Sequence, residues 1–213
     1  MGPLRPKKKG NKKMNNSLKI KRLVGLAALI AIVVVLQLVS SVIKFGPFSI
    51  TLSLIPLVVG AVIYGPVGGG ILGVTMGLVV LVSGDAQAFF VVNPFITVLL
   101  VLLKSGLAGV GSGFIYLGLK KLNKVFGVTV AAIMAPIINT GIFALGCILF
   151  FMPTLKEWAS GSDALSYLFI GMIGVNFLVE LAVNTILSPV IYYIVNTVLT
   201  NFNIGQKREE KEC

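Results

Sequence analysis

The stretch FGPFSITLSLIPLVVGAVIYGPVGGGILG, Phe45 to Gly73, contains the features that decide the fold. It begins at a Gly-Pro pair, continues as an apolar segment from Phe48 to Tyr64, and then reaches the uncharged sequence GPVGGG, Gly65 to Gly70. A helix needs about 20 apolar residues to cross a hydrocarbon core, whereas Gly and Pro mark turns. The stretch therefore predicts a turn, a membrane span, a second tight turn and the start of another span.

Apolar segments of this kind recur along the whole chain. Of the 213 residues, 56% are hydrophobic and 12% are charged, with a mean hydropathy of +0.99, values far outside the range of soluble domains. We predict an all-α integral membrane protein with six transmembrane helices, at about 18–43, 48–64, 66–83, 95–119, 125–151 and 165–199. A basic arm at 1–17 would precede the membrane domain, 18–201, and a charged tail at 202–213 would follow it.

The distribution of positive charge indicates the orientation in the membrane. Of the 18 Lys and Arg residues, nine lie between Arg5 and Arg22, three between Lys120 and Lys124, and three in the tail. Cytoplasmic segments of membrane proteins are enriched in these residues. We therefore expect both termini to be cytoplasmic, which agrees with an even number of spans.

The sequence shows no signal for an enzyme, a metal site or a bound cofactor. It contains no histidine, and its two cysteines, Cys147 and Cys213, have no metal-ligand spacing. It lacks the P-loop pattern G-x-x-x-x-G-K-[ST], so ATP hydrolysis would have to come from partner subunits. The basic residues are clustered beside predicted spans, which indicates membrane orientation rather than nucleic-acid binding.

Small residues recur at every fourth position in the third and fourth predicted spans. They are Gly65, Gly69, Gly73 and Gly77, followed by Ser105, Gly109 and Gly113. This spacing lets two helix backbones approach closely, so we expect internal packing surfaces. Ala27 and Ala31 form a similar pair in the first span, and their spacing is compatible with internal packing, the more frequent case, or with docking of a partner protein.

Polar side chains at membrane depth mark the candidate site. The segment NFLVELAVN, Asn176 to Asn184, places two asparagines and Glu180 on one stripe of a helix. Lys104 is the other ionisable residue in a span interior, and Asn139 lies near mid-depth in the fifth span. Because a charge in hydrocarbon costs several kcal/mol, such residues face a cavity or one another. Two interpretations follow: a pocket for a small polar solute, or an ion pair between Lys104 and Glu180 that holds two helices together.

The predicted depths of these residues favour a pocket that opens outward. The connections 85–93 and 154–163 would then cover it. Phe89, Phe90 and Trp158 in these connections would stack on a ligand or, alternatively, anchor the protein at the membrane interface.

The sequence AALIA at Ala27 to Ala31, the YGP turn at Tyr64 to Pro66 and the six spans together resemble a known family. These features are similar to the substrate-binding S components of energy-coupling factor (ECF) vitamin transporters, which are multi-pass proteins of the prokaryotic plasma membrane. The resemblance covers 18–201. It implies tight binding of a vitamin near the outer surface, assembly with a membrane T subunit and two cytoplasmic ATPases, and toppling in the membrane to carry the ligand inward. Ala27 and Ala31 would meet the T subunit, and Lys44 to Phe48 would form part of a gate.

Two stretches are most similar to the pantothenate-specific members of this family: NPFITVLLVLLKSGLAG, Asn93 to Gly109, and NTGIFALGC, Asn139 to Cys147. Riboflavin, folate and pyridoxine remain alternative ligands. If the ligand is pantothenate, the resemblance implies that Lys104 binds its carboxylate, while polar side chains form hydrogen bonds with its amide and hydroxyl groups. The complete predicted site is Lys104, Asn139, Asn176, Glu180, Asn93, Asn184, Phe90 and Trp158.

Two other classes of function stay open at this point. In a self-sufficient secondary transporter, Glu180 would relay protons coupled to solute entry. The sequence has neither a second carboxylate at membrane depth nor an evident inverted repeat, and both count against that class. In a scaffold protein, the polar residues would only lock helices together. ATP dependence separates the first two classes, and ligand binding separates both from the third.

Overall fold

The computed structural model describes the backbone of residues 10–42, 44–45, 48–49 and 51–211, and the side chains of 19–42 and 51–201. The predicted gate, Lys44 to Phe48, lies outside the described side chains, as do most of the basic arm and the charged tail.

Helices make up nearly all of the described chain. The long ones are α1 (Gly10–Val42), α2 (Leu54–Ser83), α4 (Pro94–Leu119), α5 (Lys124–Phe150) and α8 (Val175–Lys211). Short helices, α3 (Gln87–Val92), α6 (Met152–Trp158) and α7 (Ala164–Ser166), occupy the connections, and a π-helical stretch, Tyr167–Gly174, leads from α7 into α8. Within the described residues, five segments are long and apolar enough to cross a membrane, one of them running from Ala164 to Asn201.

The difference between five such segments and the six predicted spans lies in α2, which contains both the second and the third. At Gly65 the backbone has φ 78° and ψ −172°, a left-handed conformation that glycine adopts without strain. Pro66 follows it and has no N–H to continue the preceding helix.

The chain reverses direction at Gly65. A Cβ placed at Gly69 would lie 2.8 Å from the Cβ of Ala61, and one placed at Gly60 would meet the side chain of Leu72. In a straight helix, residues eight apart are separated by about 12 Å. The two halves of α2, 54–64 and 66–83, therefore pack against each other.

The start of α2 corrects the predicted start of the second span. Helix begins at Leu54 rather than Phe48, because Phe48–Ser49 forms a short strand, β2, paired antiparallel with β1, Lys44–Phe45. Phe and other residues that favour strands are frequent in this segment. The two strands flank the Gly-Pro pair at which the turn is predicted, and the pair itself lies outside the described residues.

The predicted small-residue surfaces are confirmed, and they join α2 to α4. A Cβ at Gly69 would press against the backbone of Gly109, and one at Gly73 would press against the backbone of Ser105. At the end of the same interface, a Cβ at Gly113 would lie 2.7 Å from the Cα of Pro66. Only small residues permit this separation of the two helix backbones.

Two apolar clusters stabilise opposite ends of the helix bundle. One surrounds Leu57, Val128 and Ile191, and the other contains Phe89 and Phe151. Large apolar side chains also cover the outside, for example Val82 at 85% and Phe95 at 79% exposure. An apolar exterior around an apolar interior is expected of helices that face lipid.

Candidate functional site

A cavity lies near one end of the bundle, between α2, α4, α5 and the start of α8. It offers about 70 Å³ to the centres of water-sized molecules, enough for about five waters at 10–15 Å³ each. Among the described residues, three ionisable side chains line it: Asp85, Lys104 and Glu180. The neutral polar residues of the lining are Gln37, Thr51, Thr97, Asn139, Thr140 and Asn176.

Half of the predicted site residues line this cavity. They come from three different helices: Lys104 from α4, Asn139 from α5, and Asn176 and Glu180 from α8. The stripe read from the sequence segment 176–184 therefore faces the cavity at its first two positions.

The other four predicted residues lie outside the cavity lining. Asn93 caps α4 by accepting a hydrogen bond from the Ile96 N–H at 3.1 Å, and Phe90 is 39% exposed on the outer surface. Asn184 lies one turn below the cavity and donates to the Glu180 carbonyl at 2.9 Å. Trp158 packs behind a lining residue, Phe89.

Lys104 brings a positive charge to the cavity. Its Nζ lies 4.8 Å from the centroid of the Phe143 ring, a favourable cation–π distance. Within the described part of the chain, no carboxylate oxygen lies within 4.0 Å of this ammonium group. The direct ion pair between Lys104 and Glu180, one of the two interpretations of the sequence, is therefore not formed.

Glu180 connects α8 to the segment that enters α2. Its side chain is 5% exposed, and its Oε1 accepts a hydrogen bond from the backbone N–H of Thr51 at 2.9 Å. Thr51 lies two residues after the end of β2. The position of this carboxylate is thus tied to the loop beside the cavity.

Asp85 is a site residue that the sequence reasoning missed, since it was placed in an outer connection. It is 8% exposed and accepts hydrogen bonds from Gln37 at 3.5 Å and from Ser83 at 3.2 Å. Gly84, with φ 82°, ends α2 and turns the chain so that Asp85 points inward. The signal available in the sequence was Gln37, a polar residue at membrane depth that needed a partner.

Thr51 and Thr97 also line the cavity, and the sequence offered no signal for them. A threonine hydroxyl inside a helix can bond to the backbone one turn before, as Thr97 does with the Asn93 carbonyl at 2.8 Å. The sequence alone therefore does not show which threonine side chains face a cavity.

Asn139 offers a hydrogen-bond acceptor to any molecule in the cavity. It is 3% exposed, and its Oδ1 has no hydrogen-bond partner among the described residues. Buried polar atoms in native proteins almost always have a partner, from the protein, water or a ligand. The unpartnered oxygen is therefore available to accept a hydrogen bond from water or from a ligand in the cavity.

Phe89 closes one side of the cavity. Its ring is 2% exposed and packs edge-on against Phe143, Phe151 and Trp158, with centroid distances of 5.5, 4.9 and 5.2 Å. Of the two neighbouring phenylalanines in the connection, Phe89 is thus the one that faces the cavity, and Trp158 supports it from behind. This arrangement keeps one wall of a polar cavity apolar and rigid.

Residues 21–192 match the family described as "ECF transporter, substrate-specific component". The chain belongs to this family. It is a substrate-binding S component of a vitamin transporter and not an enzyme, as its resemblance to the family predicted.

Two known proteins are similar to this S component over most of its length. The pantothenic acid transporter PanT of Lactococcus lactis subsp. cremoris (strain MG1363) is 31% identical over 183 residues, which covers 78% of this chain and 89% of PanT. The solved structure of ThiT from Listeria monocytogenes is similar in fold, with a TM-score of 0.61 at 21% identity. That match covers 86% of this chain and 98% of ThiT.

Ala27 and Ala31 of this S component both lie on an exposed face of α1. Internal packing, the interpretation favoured by their spacing alone, is therefore wrong. The two alanines leave a shallow, small-residue surface open to the surroundings of the protein.

Proposed function

We propose that this S component binds pantothenate and delivers it through an ATP-driven ECF complex. The observation that carries the proposal is Lys104, a cavity-lining cation without a carboxylate partner among the described residues, in a chain that is 31% identical to a pantothenic acid transporter.

The chemistry of pantothenate matches the groups in the cavity. The molecule has one carboxylate, one amide and two hydroxyls. Lys104 would bind the carboxylate through a charge-assisted hydrogen bond. The Asn139 Oδ1 would accept from the amide or a hydroxyl, and Asn176 and Glu180 would bond to the remaining polar groups.

The two carboxylates in the cavity are compatible with an anionic ligand because protein groups already hold them. Glu180 accepts from the Thr51 N–H, and Asp85 accepts from Gln37 and Ser83. Lys104 has no such bond to an oxygen among the described residues. Its ammonium group can therefore form a direct bond to the ligand's carboxylate, while its charge also partly offsets those of Glu180 and Asp85.

We further infer six membrane passes with both termini in the cytoplasm. The reversal at Gly65 supports this count, since it divides α2 into an outgoing and a returning half. The basic residues at 5–22 and 120–124 then lie on the same side, as the positive-inside rule requires. In this arrangement 18–201 forms the membrane domain between the arm at 1–17 and the tail at 202–213, and the cavity opens outward.

The exposed alanines of α1 would serve as the docking face for the T subunit of the complex. Ala27 and Ala31 lie around the middle of α1, where a partner helix could approach the backbone closely. Two ATPase subunits would complete the transporter in a prokaryotic plasma membrane. Toppling of the S component would then carry pantothenate inward.

Native mass spectrometry of the purified chain tests the ligand assignment, first without added ligand and then with a panel of vitamins. We expect retained pantothenate in the wild type. Lys104→Met should weaken pantothenate binding by about 10- to 100-fold, because losing a charged hydrogen bond costs about 1.5–3 kcal/mol and the ligand's carboxylate loses its partner. Lys156→Met is the matched control, since Lys156 is an exposed lysine in α6 that does not line the cavity.

Selective retention of riboflavin, folate or pyridoxine instead would refute pantothenate and keep the family. Equal affinities of the Lys104→Met variant and the wild type for pantothenate would refute the role of Lys104.

A further inference from the structure

A second cavity lies at the opposite end of the bundle, where the end of α4 meets the start of α5 and the later turns of α8. Its volume accessible to the centres of water-sized molecules is about 60 Å³. The two cavities share no lining residue. At 10–15 Å³ per water, this space holds about four to six small heavy-atom groups. A phosphate group is of this size.

The lining of the second cavity combines one cation with polar and apolar groups. Lys124 supplies the charge, Tyr116 and Tyr192 supply hydroxyls, and Val128 and Leu199 are apolar. Within the described residues, no carboxylate lines it. The second cavity therefore favours an anion.

Tyr116 is built into this cavity by the packing of α4 against α5. The side chain is 6% exposed, and a Cβ at Gly127 would lie 3.3 Å from its Cδ2 atom. Among the described residues, the Tyr116 hydroxyl has no hydrogen-bond partner although the residue lines the cavity. A hydroxyl that faces the cavity in this state is an available donor, and a phosphate oxygen would accept from it.

The N-terminus of α5 adds to the positive potential of the cavity. Lys124 is the first residue of this 27-residue helix, and Asn123 caps it by accepting from the Val125 N–H at 2.8 Å. The first turn of a helix carries a partial positive charge and attracts phosphate groups.

The surroundings of the cavity identify the anion as part of a lipid. Leu122 and Phe126 each lie two residues from Lys124 in the sequence, and Tyr193 follows Tyr192. They are 77%, 52% and 72% exposed, so large hydrophobic side chains next to lining residues in the sequence lie on the outside of the bundle. Basic pockets between helix ends at a membrane surface are typical binding sites for acidic lipid headgroups. We infer that the second cavity binds the phosphate of an anionic phospholipid, with Lys124 and Tyr116 as its polar contacts and the acyl chains on the adjoining apolar surface.

Native mass spectrometry from mixed micelles that contain equimolar phosphatidylglycerol and phosphatidylcholine tests this inference. The wild type should retain phosphatidylglycerol in preference to phosphatidylcholine. Lys124→Gln and Tyr116→Phe should each reduce that preference by about tenfold, the equivalent of about 1.4 kcal/mol. Lys121→Gln is the matched control, because Lys121 is exposed in the same connection and does not line the cavity.

Thermal melting verifies that each variant is folded. We expect both to fold, because Tyr116→Phe keeps the buried ring and Lys124 is exposed. Equal retention of the two lipids by the wild type would overturn the inference. So would an equal loss of preference in Lys121→Gln, which would show surface attraction without a site. Millimolar inorganic phosphate provides a second arm, and its retention in place of the lipid would overturn the lipid assignment in favour of a soluble anion.

Discussion

The close contact between α2 and α4 leads to a quantitative prediction for Gly69→Ala. A methyl group at this position would lie 2.8 Å from the carbonyl carbon of Gly109 and 2.8 Å from the Cβ of Ala61. Both neighbours, the Gly109 backbone and the Cβ of Ala61, are fixed to helix backbones and cannot move aside as the end of a flexible side chain can. The added methyl group must therefore separate the two helices locally.

The magnitude follows from two opposing effects. Overpacking of a well-packed interior costs about 1–3 kcal/mol, whereas replacing glycine by alanine inside a helix contributes up to about 1 kcal/mol of stability. We expect Gly69→Ala to lower the free energy of unfolding by about 1–2 kcal/mol. In a chain of this length that corresponds to a melting temperature lower by about 2–8 °C.

Gly141→Ala is the matched control, because a Cβ at Gly141 would meet nothing within 4 Å. This variant changes the same atoms inside α5 without a steric conflict. We expect its melting temperature to rise by about 1–4 °C through helix propensity alone. Thermal unfolding in detergent, followed by the fluorescence of the single tryptophan, Trp158, measures both variants. A Gly69→Ala variant that melts at or above the wild-type temperature would refute the close approach of α2 and α4.

Three further predictions concern the first cavity. Asn139→Leu should raise the free energy of unfolding by about 1 kcal/mol in titrations with denaturant, because it removes a buried oxygen without a partner, and it should weaken pantothenate binding at least tenfold. Phe89→Ala should destabilise the protein by about 3–5 kcal/mol in thermal unfolding, whereas Phe90→Ala, at an exposed neighbour, should cost less than about 1 kcal/mol. Glu180→Leu should accelerate hydrogen exchange in the peptide containing Thr51 by about tenfold, while Glu180→Gln keeps an acceptor for that N–H and should not.

Each of these predictions has a specific contrary outcome. Unchanged pantothenate affinity in Asn139→Leu would remove Asn139 from the binding site. Equal destabilisation by Phe89→Ala and Phe90→Ala would show that the aromatic cluster is not a rigid wall. Identical exchange in Glu180→Leu and Glu180→Gln would mean that the bond to Thr51 does not hold the loop.

The sequence located the fourth and fifth spans to within one residue at each end, but it misplaced the start of the second. The predicted fourth span, 95–119, corresponds to Pro94–Leu119, and the fifth, 125–151, to Lys124–Phe150. Both begin at an asparagine cap that is visible in the sequence, at Asn93 and Asn123. The second span was misplaced at its start because an apolar run does not distinguish a strand from a helix over a few residues.

For the candidate site, the sequence identified polar residues whose transfer into a hydrocarbon core is energetically unfavourable. Lys104, Asn139, Asn176 and Glu180 are polar groups in apolar segments, and such groups must find a cavity or a partner in any fold. The same reasoning cannot predict which of two adjacent residues in a connection faces the cavity. A polar or aromatic side chain in a connection has no large burial penalty that would require a cavity or a partner. Phe90 was therefore predicted at the site although Phe89 faces the cavity, and Asp85 was placed outside although it is buried.

The sequence by itself determined that the chain crosses a membrane, which segments do so, and which charges and amides lie at membrane depth. Hydrophobic length and the cost of burying charge are local properties, so they can be read residue by residue. The tertiary structure decided whether Lys104 pairs with Glu180 or faces a cavity alone, and which carboxylate the Thr51 N–H meets. It also brought Tyr116 and Lys124 to a second cavity. These outcomes depend on distances of a few ångströms between side chains of different helices, and only the packing of those helices sets such distances.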